Sequence, residues 1–239
     1  MLLDVTDLNT YYGESHALQD VSLNVDKGEI VALLGRNGMG KSTTLKSIMG
    51  LLKPRSGKVI FEGQDITGRR PHKVARAGLG YVPEDRRIFP NLTVLDNLLM
   101  GVKGGKIDTS NPNAWTVERI FKHFPLMKDR IHQKGGLLSG GEQQMLTIGR
   151  TLMGNPDLLM VDEPTEGLSP IMVKEVKDVL EEIRRAGTSI LLVEHNFKMA
   201  MSLAKRVFVM SKAHIGFSGT TEELEANPEI REKTIHKQG

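Results

Sequence analysis

Glycines and one lysine recur at fixed spacing in a short stretch that could bind phosphate. The stretch fits the pattern Gly-x-x-x-x-Gly-Lys-[Ser/Thr], in which glycines let the backbone N–H groups approach an anion closely. The lysine adds a positive charge, and the hydroxyl that follows suits Mg²⁺. The pattern predicts a loop that holds the β- and γ-phosphates of ATP, with Mg²⁺ as the second cofactor. Its residues are Gly35, Arg36, Asn37, Gly38, Met39, Gly40, Lys41, Ser42 and Thr43.

The elements on either side of this loop agree with that interpretation. Residues 30–34 form a continuous apolar run, as expected of a buried parallel strand. After the loop, Leu45, Ile48 and Met49 recur at helical spacing, and the pattern stops at Gly50. A glycine-rich turn that binds nothing is the alternative, and the Lys-Ser pair together with both flanking elements argues against it.

Two carboxylates follow another apolar run, at residues 158–161. Asp162 and Glu163 would lie at the carboxyl end of a parallel strand, where such sheets bind ligands. Asp162 suits a contact to Mg²⁺, and Glu163 suits a base that takes a proton from an attacking water. His195 follows a buried strand predicted at residues 189–193 and is expected at the same edge, which favours a functional role over a structural one.

A second glycine-containing stretch, Ser139-Gly140-Gly141-Glu142, is predicted to begin a helix. Ser139 is a good N-cap residue, and Glu142 three positions later completes a capping box. The two glycines leave the first turn bare, so its free N–H groups could also hold an anion. On the residues alone, a well-capped helix is the simpler of these two explanations.

Aromatic residues make up only 5% of the chain, yet Tyr11 and Tyr12 stand together before Gly13. Such a pair could present a stacking surface for a base, or it could be packed in a turn. The local sequence does not separate these alternatives.

Composition excludes several classes of protein. The 239 residues carry a net charge of +3, which is too small to favour nucleic acid or an anionic membrane surface. The chain contains no cysteine, which excludes disulfides and thiolate metal sites. No signal peptide is predicted at the amino terminus, and no apolar run reaches the ~18 residues that span a bilayer. We therefore expect a cytoplasmic protein that reaches a membrane only through a partner.

The fold class predicted is α/β, with a mixed β core and a small antiparallel β region. Residues 2–8 and 21–25 are predicted as strands separated by a loop over residues 9–20. Residues 101–113 are polar and glycine-rich and are predicted as a surface loop. Residues 85–153 are predicted to be mainly helical, as a subdomain inserted into a single domain. Residues 1–84 and 154–239 would then form a RecA-like core together with the antiparallel region.

With these stretches in place, the whole chain resembles the ATP-binding subunit of an ABC transporter. Residues 138–142 are similar to the signature motif of that family and lie in its usual order, between the phosphate loop and the Walker B strand. Within the family, the resemblance is greatest to the LivF type of branched-chain amino acid importers. It is carried by residues 81–84, 86–90, 92–94, 141–146, 167–170 and 227–231.

The resemblance implies roles for several residues. Tyr12 would stack on adenine, His195 would be the switch histidine that contacts the γ-phosphate, and Glu84 would contribute to the metal site. Residues 139–142 would complete the nucleotide site of a facing ATPase subunit, in a homodimer or a heterodimer with a LivG-like protein.

The family also implies partners and a location. Integral membrane permeases would dock near residues 84–96, a solute-binding protein would act indirectly, and nucleic acid is not expected. The subunit would be peripheral at the cytoplasmic face of the plasma membrane.

Three positions depart from the family pattern. Glu84 stands where the general family has glutamine, and Ser169 stands where it has aspartate. His195 stands where the LivF type often has glutamine. Two other functions are kept as alternatives to solute import, and the changes at Glu84 and Ser169 give weight to the second of them. One is a soluble ABC-type ATPase that acts on nucleic acid or ribosomes, and the other is a nucleotide-gated module with little hydrolysis.

Overall fold

The structure is a computed structural model that describes residues 1–105, 113–228 and 230. In these residues the strands are β1 (Leu3–Tyr12), β2 (Ser15–Val25), β3 (Ile30–Gly35), β4 (Ser56–Phe61), β5 (Gln64–Asp65), β6 (Leu79–Val82), β7 (Leu158–Asp162), β8 (Ser189–Glu194), β9 (Arg206–Ser211) and β10 (His214–Thr220). The helices are α1 (Lys41–Ile48), α2 (Pro71–Arg76), α3 (Val94–Leu99), α4 (Val117–His123), α5 (Pro125–Asp129), α6 (Gly140–Leu152), α7 (Pro170–Arg185), α8 (Phe197–Leu203) and α9 (Thr221–Glu225).

A six-stranded sheet in the order β10-β9-β3-β8-β7-β6 forms the centre of the molecule. Strands β9, β3, β8, β7 and β6 are parallel to one another, and β10 is antiparallel to β9. Every residue of β3, β7 and β8 is buried, as expected when helices or another sheet cover both faces of a parallel sheet. The α/β fold class with a mixed sheet is therefore confirmed.

Alternate residues of the central strands enter two separate cores. Ala32 and Leu34 lie in a cluster that includes α6 and α7, whereas Val31 and Leu33 lie in a cluster with α1 and the antiparallel sheet. Burial of each valine or leucine side chain among them contributes roughly 1.5–3 kcal/mol, so packing on both faces holds the strands in place. The carboxyl ends of β3, β7 and β8 consequently meet at one fixed edge.

The four-stranded antiparallel sheet has the order β2-β1-β4-β5. The loop predicted over residues 9–20 is wrong, because β1 continues to Tyr12 and β2 begins at Ser15. The pairing of these strands shifts register three times between Val5 and Tyr11, and Asp7 has a positive φ of 49°. These bulges interrupt the two-residue alternation that marks a strand in a sequence.

Helices α3–α6 lie between β6 and β7 in the chain and pack on the face of the sheet that carries α7. Thr93 and Ser139 cap α3 and α6 through complete capping boxes, as their sequences predict. The predicted loop over residues 101–113 contains a short 3₁₀ turn at Lys103–Gly105, and residues 106–112 lie outside the described part. The similarity proposed for residues 227–231 also lies partly outside it. Among the described helices, none is long and apolar enough to cross a bilayer.

Candidate functional site

The loop between β3 and α1 curves around an open cavity at the carboxyl edge of the sheet. Gly40 precedes α1 with a φ of 105°, and a Cβ at this position would lie 2.8 Å from Cδ2 of Leu18. Gly38 also has a positive φ, of 79°. Only glycine fits these positions without strain, and the loop thereby keeps its backbone bare towards the cavity.

Lys41 begins α1, and its side chain is almost completely buried. Its Nζ lies 3.0 Å from Oε1 of Glu163 and donates a hydrogen bond of 3.3 Å to the carbonyl oxygen of Arg36. A buried ammonium is stable only where it is paired, and the carboxylate of Glu163 supplies that pair. The structure thus joins the phosphate-binding loop directly to the carboxylate that follows β7.

Asp162, the last residue of β7, accepts two hydrogen bonds from other elements. Ser42 Oγ donates to Oδ1 over 2.9 Å, and the hydroxyl of Tyr81 donates to Oδ2 over 3.0 Å. Burial raises the pKa of Asp162, and the two hydrogen bonds oppose that rise. A hydroxyl oxygen and a carboxylate oxygen therefore lie side by side, and oxygen atoms of this kind are the ligands that Mg²⁺ prefers.

Glu163 is held at both oxygens. His195 Nδ1 lies 2.8 Å from Oε2, opposite the oxygen that faces Lys41. Burial alone would raise the pKa of Glu163, but Lys41 and His195 outweigh burial and the net pKa is lowered. The backbone of Glu163 has a positive φ of 44°. Its N–H donates a hydrogen bond to the carbonyl oxygen of Val193. Strained backbone of this kind concentrates at functional sites.

The segment that carries His195 is fixed by a buried carboxylate. Glu194 accepts hydrogen bonds from the backbone N–H groups of His195 and Asn196 and from the hydroxyl of Thr165. Burial raises the pKa of Glu194. This network ties the end of β8 to the segment after β7, and so fixes the distance between His195 and Glu163.

The cavity has a volume of about 630 Å³, within the range of small-ligand sites. Its wall includes the following predicted site residues: Tyr12, Asn37, Gly38, Met39, Gly40, Lys41, Ser42, Thr43, Glu84 and Glu163. Gly35 and Arg36 precede them at the end of β3, while Asp162 and His195 reach the site through Ser42 and Glu163.

The two neighbouring tyrosines have different surroundings. Tyr11 stacks on His16 with ring centroids 4.1 Å apart, and the guanidinium of Arg55 lies 3.8 Å from its ring. Tyr12 lines the cavity and is 49% exposed. Tyr11 is therefore the packed residue, and the ring of Tyr12 has a free face for a ligand.

Residues 139–142 do not line this cavity in the described structure. Ser139 is exposed at the start of α6, where its side chain accepts a hydrogen bond from the N–H of Glu142. The carboxylate of Glu142 in turn accepts a hydrogen bond from the backbone N–H of Ser139, and it forms an ion pair with Arg130 at 2.7 Å. The start of α6 is therefore an exposed, capped helix end outside the lining of this cavity.

Three contributing residues were not assigned a role from the sequence. Tyr81 reaches Asp162 only because β6 and β7 pair in parallel, with Tyr81 opposite Met160. Glu166 offers a carboxylate oxygen within 4.8 Å of ligand atoms of Glu163 and His195. Burial raises the pKa of Glu166, and the nearby Glu163 adds to that rise. A role for Glu194 could have been predicted from its position at the end of a buried strand.

The residues present fit ATP and Mg²⁺. The evidence is a loop whose backbone at Gly40 has a positive φ and no room for a Cβ beside Leu18, a buried ammonium at the cavity wall, and a hydroxyl and a carboxylate paired at Ser42 and Asp162. A sugar-sized or apolar ligand would not need this combination of charge and bare backbone.

Comparison with known proteins agrees with this geometry. A family model described as ABC transporter matches residues 18–166. BraG of Pseudomonas aeruginosa, a high-affinity branched-chain amino acid transport ATP-binding protein, is 41% identical over 97% of this chain and 98% of its own length. The probable branched-chain amino acid transport ATP-binding protein LivF of Archaeoglobus fulgidus is 36% identical over 93% and 94%. LptB of Escherichia coli, a lipopolysaccharide export ATP-binding protein, is 33% identical over 93% and 92%.

Solved structures show the same fold. An ATP-binding cassette of an ABC transporter in its ADP conformation superposes with a TM-score of 0.84, at 29% identity over 99% of both chains. A dimeric cassette in a post-hydrolysis state, bound to ADP and phosphate, superposes with a TM-score of 0.77, at 25% identity over 92% of this chain and 99% of that one.

Proposed function

The chain belongs to the ABC transporter ATP-binding family, as an ATPase that uses ATP and Mg²⁺, and on that premise we propose that it powers import of a small solute through membrane permeases. The solute proposed is a branched-chain amino acid or a similar compound, because BraG and LivF carry that function in their names. The observation that carries the mechanism is the convergence of Lys41, Asp162, Glu163 and His195 at one sheet edge.

Glu163 is the proposed base. Its carboxylate accepts a proton from water while the water oxygen bonds the γ-phosphorus and the bond to the β-phosphate oxygen breaks, giving ADP and phosphate. Its lowered pKa keeps this carboxylate ionised at neutral pH. His195 lies 2.8 Å from Oε2 and would orient the carboxylate through that contact, and its contact with the γ-phosphate is part of the proposal.

Lys41 and the phosphate loop are proposed to hold the β- and γ-phosphates. In the structure Lys41 is paired with Glu163, so phosphate oxygens would share the ammonium and release part of its hold on the base. Ser42 and Asp162 would hold Mg²⁺, which neutralises developing charge on the phosphates, and Glu84 lies on the same cavity wall.

Tyr12 is proposed as the adenine platform. Its exposed ring lies on the cavity wall that also carries the phosphate loop, whereas Tyr11 is committed to His16 and Arg55. Stacking on an aromatic face suits a purine base.

A second ATPase subunit is proposed to complete the site. The exposed start of α6, with Ser139 at its tip, is away from the chain's own cavity, and a related cassette is dimeric. In a head-to-tail pair this helix start would bind the γ-phosphate held by the facing loop. The facing subunit is proposed to be a second copy or a LivG-like protein.

The membrane subunits are proposed to dock on the surface that begins at Glu84. Phe89 within residues 84–96 and Leu99 and Met100 shortly after them are exposed, at 43%, 44% and 60%, and would offer apolar side chains to a partner. Docking would make the protein peripheral at the cytoplasmic face of the membrane, and a solute-binding protein would act through the permeases.

Export is the second candidate, because LptB is similar over almost the whole chain. Proteoliposomes containing the ATPase with its permeases and solute-binding protein separate the two. We expect ATP-dependent uptake of a labelled branched-chain amino acid by the wild-type protein and none by Glu163→Gln. ATP hydrolysis without such uptake, accompanied by extraction of lipopolysaccharide, would favour export.

A further inference from the structure

A second cavity, separate from the nucleotide site, lies between α5, the start of α6 and α7. Its volume is about 260 Å³. A dry cavity of ~150 Å³ accommodates benzene, so this one has room for a phenyl ring with a short substituent. The residues lining it are His123, Phe124, Pro125, Leu126, Met127, Glu142, Met145, Met172, Glu175, Asp178 and Val179.

The floor of this cavity is apolar and adaptable. Phe124, Met127, Met145 and Val179 line it and are each at most 9% exposed. Met172 completes the floor, and its methyl lies against α6, since a Cβ at Gly141 would be only 2.5 Å from Cε of Met172. Unbranched methionine side chains adjust to ligands of different shape.

The rim of the cavity is acidic. Glu142 is already neutralised by Arg130, at 2.7 Å. Glu175 and Asp178 stand one turn apart on α7, and the described residues provide neither with an ion-pair partner. His123 does not offset them, because burial lowers the pKa of its imidazole. The described lining contains no lysine or arginine, so the rim attracts cations.

We propose that this cavity is a binding site for a small amphipathic cation, with an apolar body about the size of a phenyl ring and a primary ammonium group. The body would rest on the methionines and Phe124, and the ammonium would lie between Glu175 and Asp178. Of the residues proposed to bind ATP, this cavity includes only Glu142, and the proposal stands whether or not the proposed transport function is correct.

Trp115 makes this proposal directly measurable. It is the only tryptophan in the chain, and its ring lies edge to face with His123 on the cavity wall, with centroids 5.4 Å apart. Phenethylamine is the probe, and phenylacetate at equal ionic strength is the control with the same ring and the opposite charge. Trp115 fluorescence would be followed together with saturation-transfer NMR on the ligand protons.

We expect saturable binding of phenethylamine with a Kd of about 1 mM, as suits so small a ligand. The double variant Glu175→Gln/Asp178→Asn should bind at least about 5-fold more weakly, and Val179→Phe should lose binding by filling the floor. Glu181→Gln, on α7 but outside the cavity lining, is the matched control and should bind as the wild type does.

Three results would overturn the proposal. They are absence of saturable binding by both readouts, equal affinity for phenylacetate, and unchanged affinity of the double variant. Circular dichroism of each variant shows whether it is folded. The double variant, which changes only rim side chains, keeps the test decisive if Val179→Phe does not fold.

Discussion

Lys41 Nζ and Glu163 Oε1 lie 3.0 Å apart, with both side chains at most 6% exposed. The same two residues are the proposed phosphate ligand and the proposed base. In this pair each group neutralises the other. On the proposed roles, a triphosphate that attracts Lys41 would change the surroundings of Glu163 and would link nucleotide binding to activation of the base.

Glu163→Gln should lower the turnover number for Mg-ATP by about 100-fold or more, because an amide cannot accept the proton from water. Nucleotide affinity should be retained, since Lys41 and the loop glycines are unchanged. Phosphate release under saturating ATP and equilibrium binding of labelled ATP measure the two quantities. Unaltered turnover would contradict the assignment of the base.

The stability of the wild-type protein should depend on pH through Glu163. Because its folded-state pKa is lowered, its contribution to stability is present above its unfolded pKa and is lost as pH falls through the folded value. Urea unfolding of the wild type and Glu163→Gln, from neutral pH to below about pH 4, measures this. The wild type should lose stability relative to the variant as pH falls. A constant difference would show that Glu163 has an ordinary pKa.

Tyr12→Ala should weaken ATP binding by about 10-fold, since stacking of a base on an aromatic ring contributes roughly 1–3 kcal/mol. Tyr12→Phe is the matched control and should bind ATP as the wild type does, because it keeps the ring. Fluorescence titration with a labelled ATP analogue makes the comparison. Equal affinities for the alanine and phenylalanine variants would exclude adenine stacking at this position.

Tyr81→Phe should raise the Mg²⁺ concentration needed for half-maximal ATP hydrolysis by about 10-fold. The change removes the hydroxyl that orients Asp162 Oδ2 and leaves the ring in place. Tyr12→Phe also removes one hydroxyl, but that hydroxyl is not bonded to Asp162. If the two variants have the same Mg²⁺ dependence, Tyr81 has no part in positioning the metal ligand.

The sequence predicted β3, β7 and β8 of the central sheet because they are short, mostly apolar runs closed by a glycine or by polar residues. It failed for the hairpin of β1 and β2. There the bulges, the positive φ of Asp7 and the polar residues of an exposed sheet face interrupt the alternation. Register shifts depend on the partner strand, which a local pattern does not contain.

The predicted site residues mostly lie around one cavity because a fixed loop and two strand ends carry them. The hydrogen bonds and ion pairs between these side chains could not be predicted from local sequence patterns. Lys41 bonds Glu163, and Tyr81 reaches Asp162 across two parallel strands. Both contacts join residues more than 75 positions apart in the chain, and only the sheet order brings them together. The roles assigned to these residues, like the inserted helical subdomain, stay predictions.

The central claim is that one triphosphate is held between the loop of one ATPase subunit and the start of α6 on the facing subunit. The most direct measurement is a structure of the assembled transporter, with ATP and Mg²⁺ bound to the Glu163→Gln variant. The account predicts that Oγ of Ser139 lies about 3 Å from a γ-phosphate oxygen bound by the facing subunit. A closed, nucleotide-bound assembly in which Ser139 faces solvent, away from every phosphate, would contradict it.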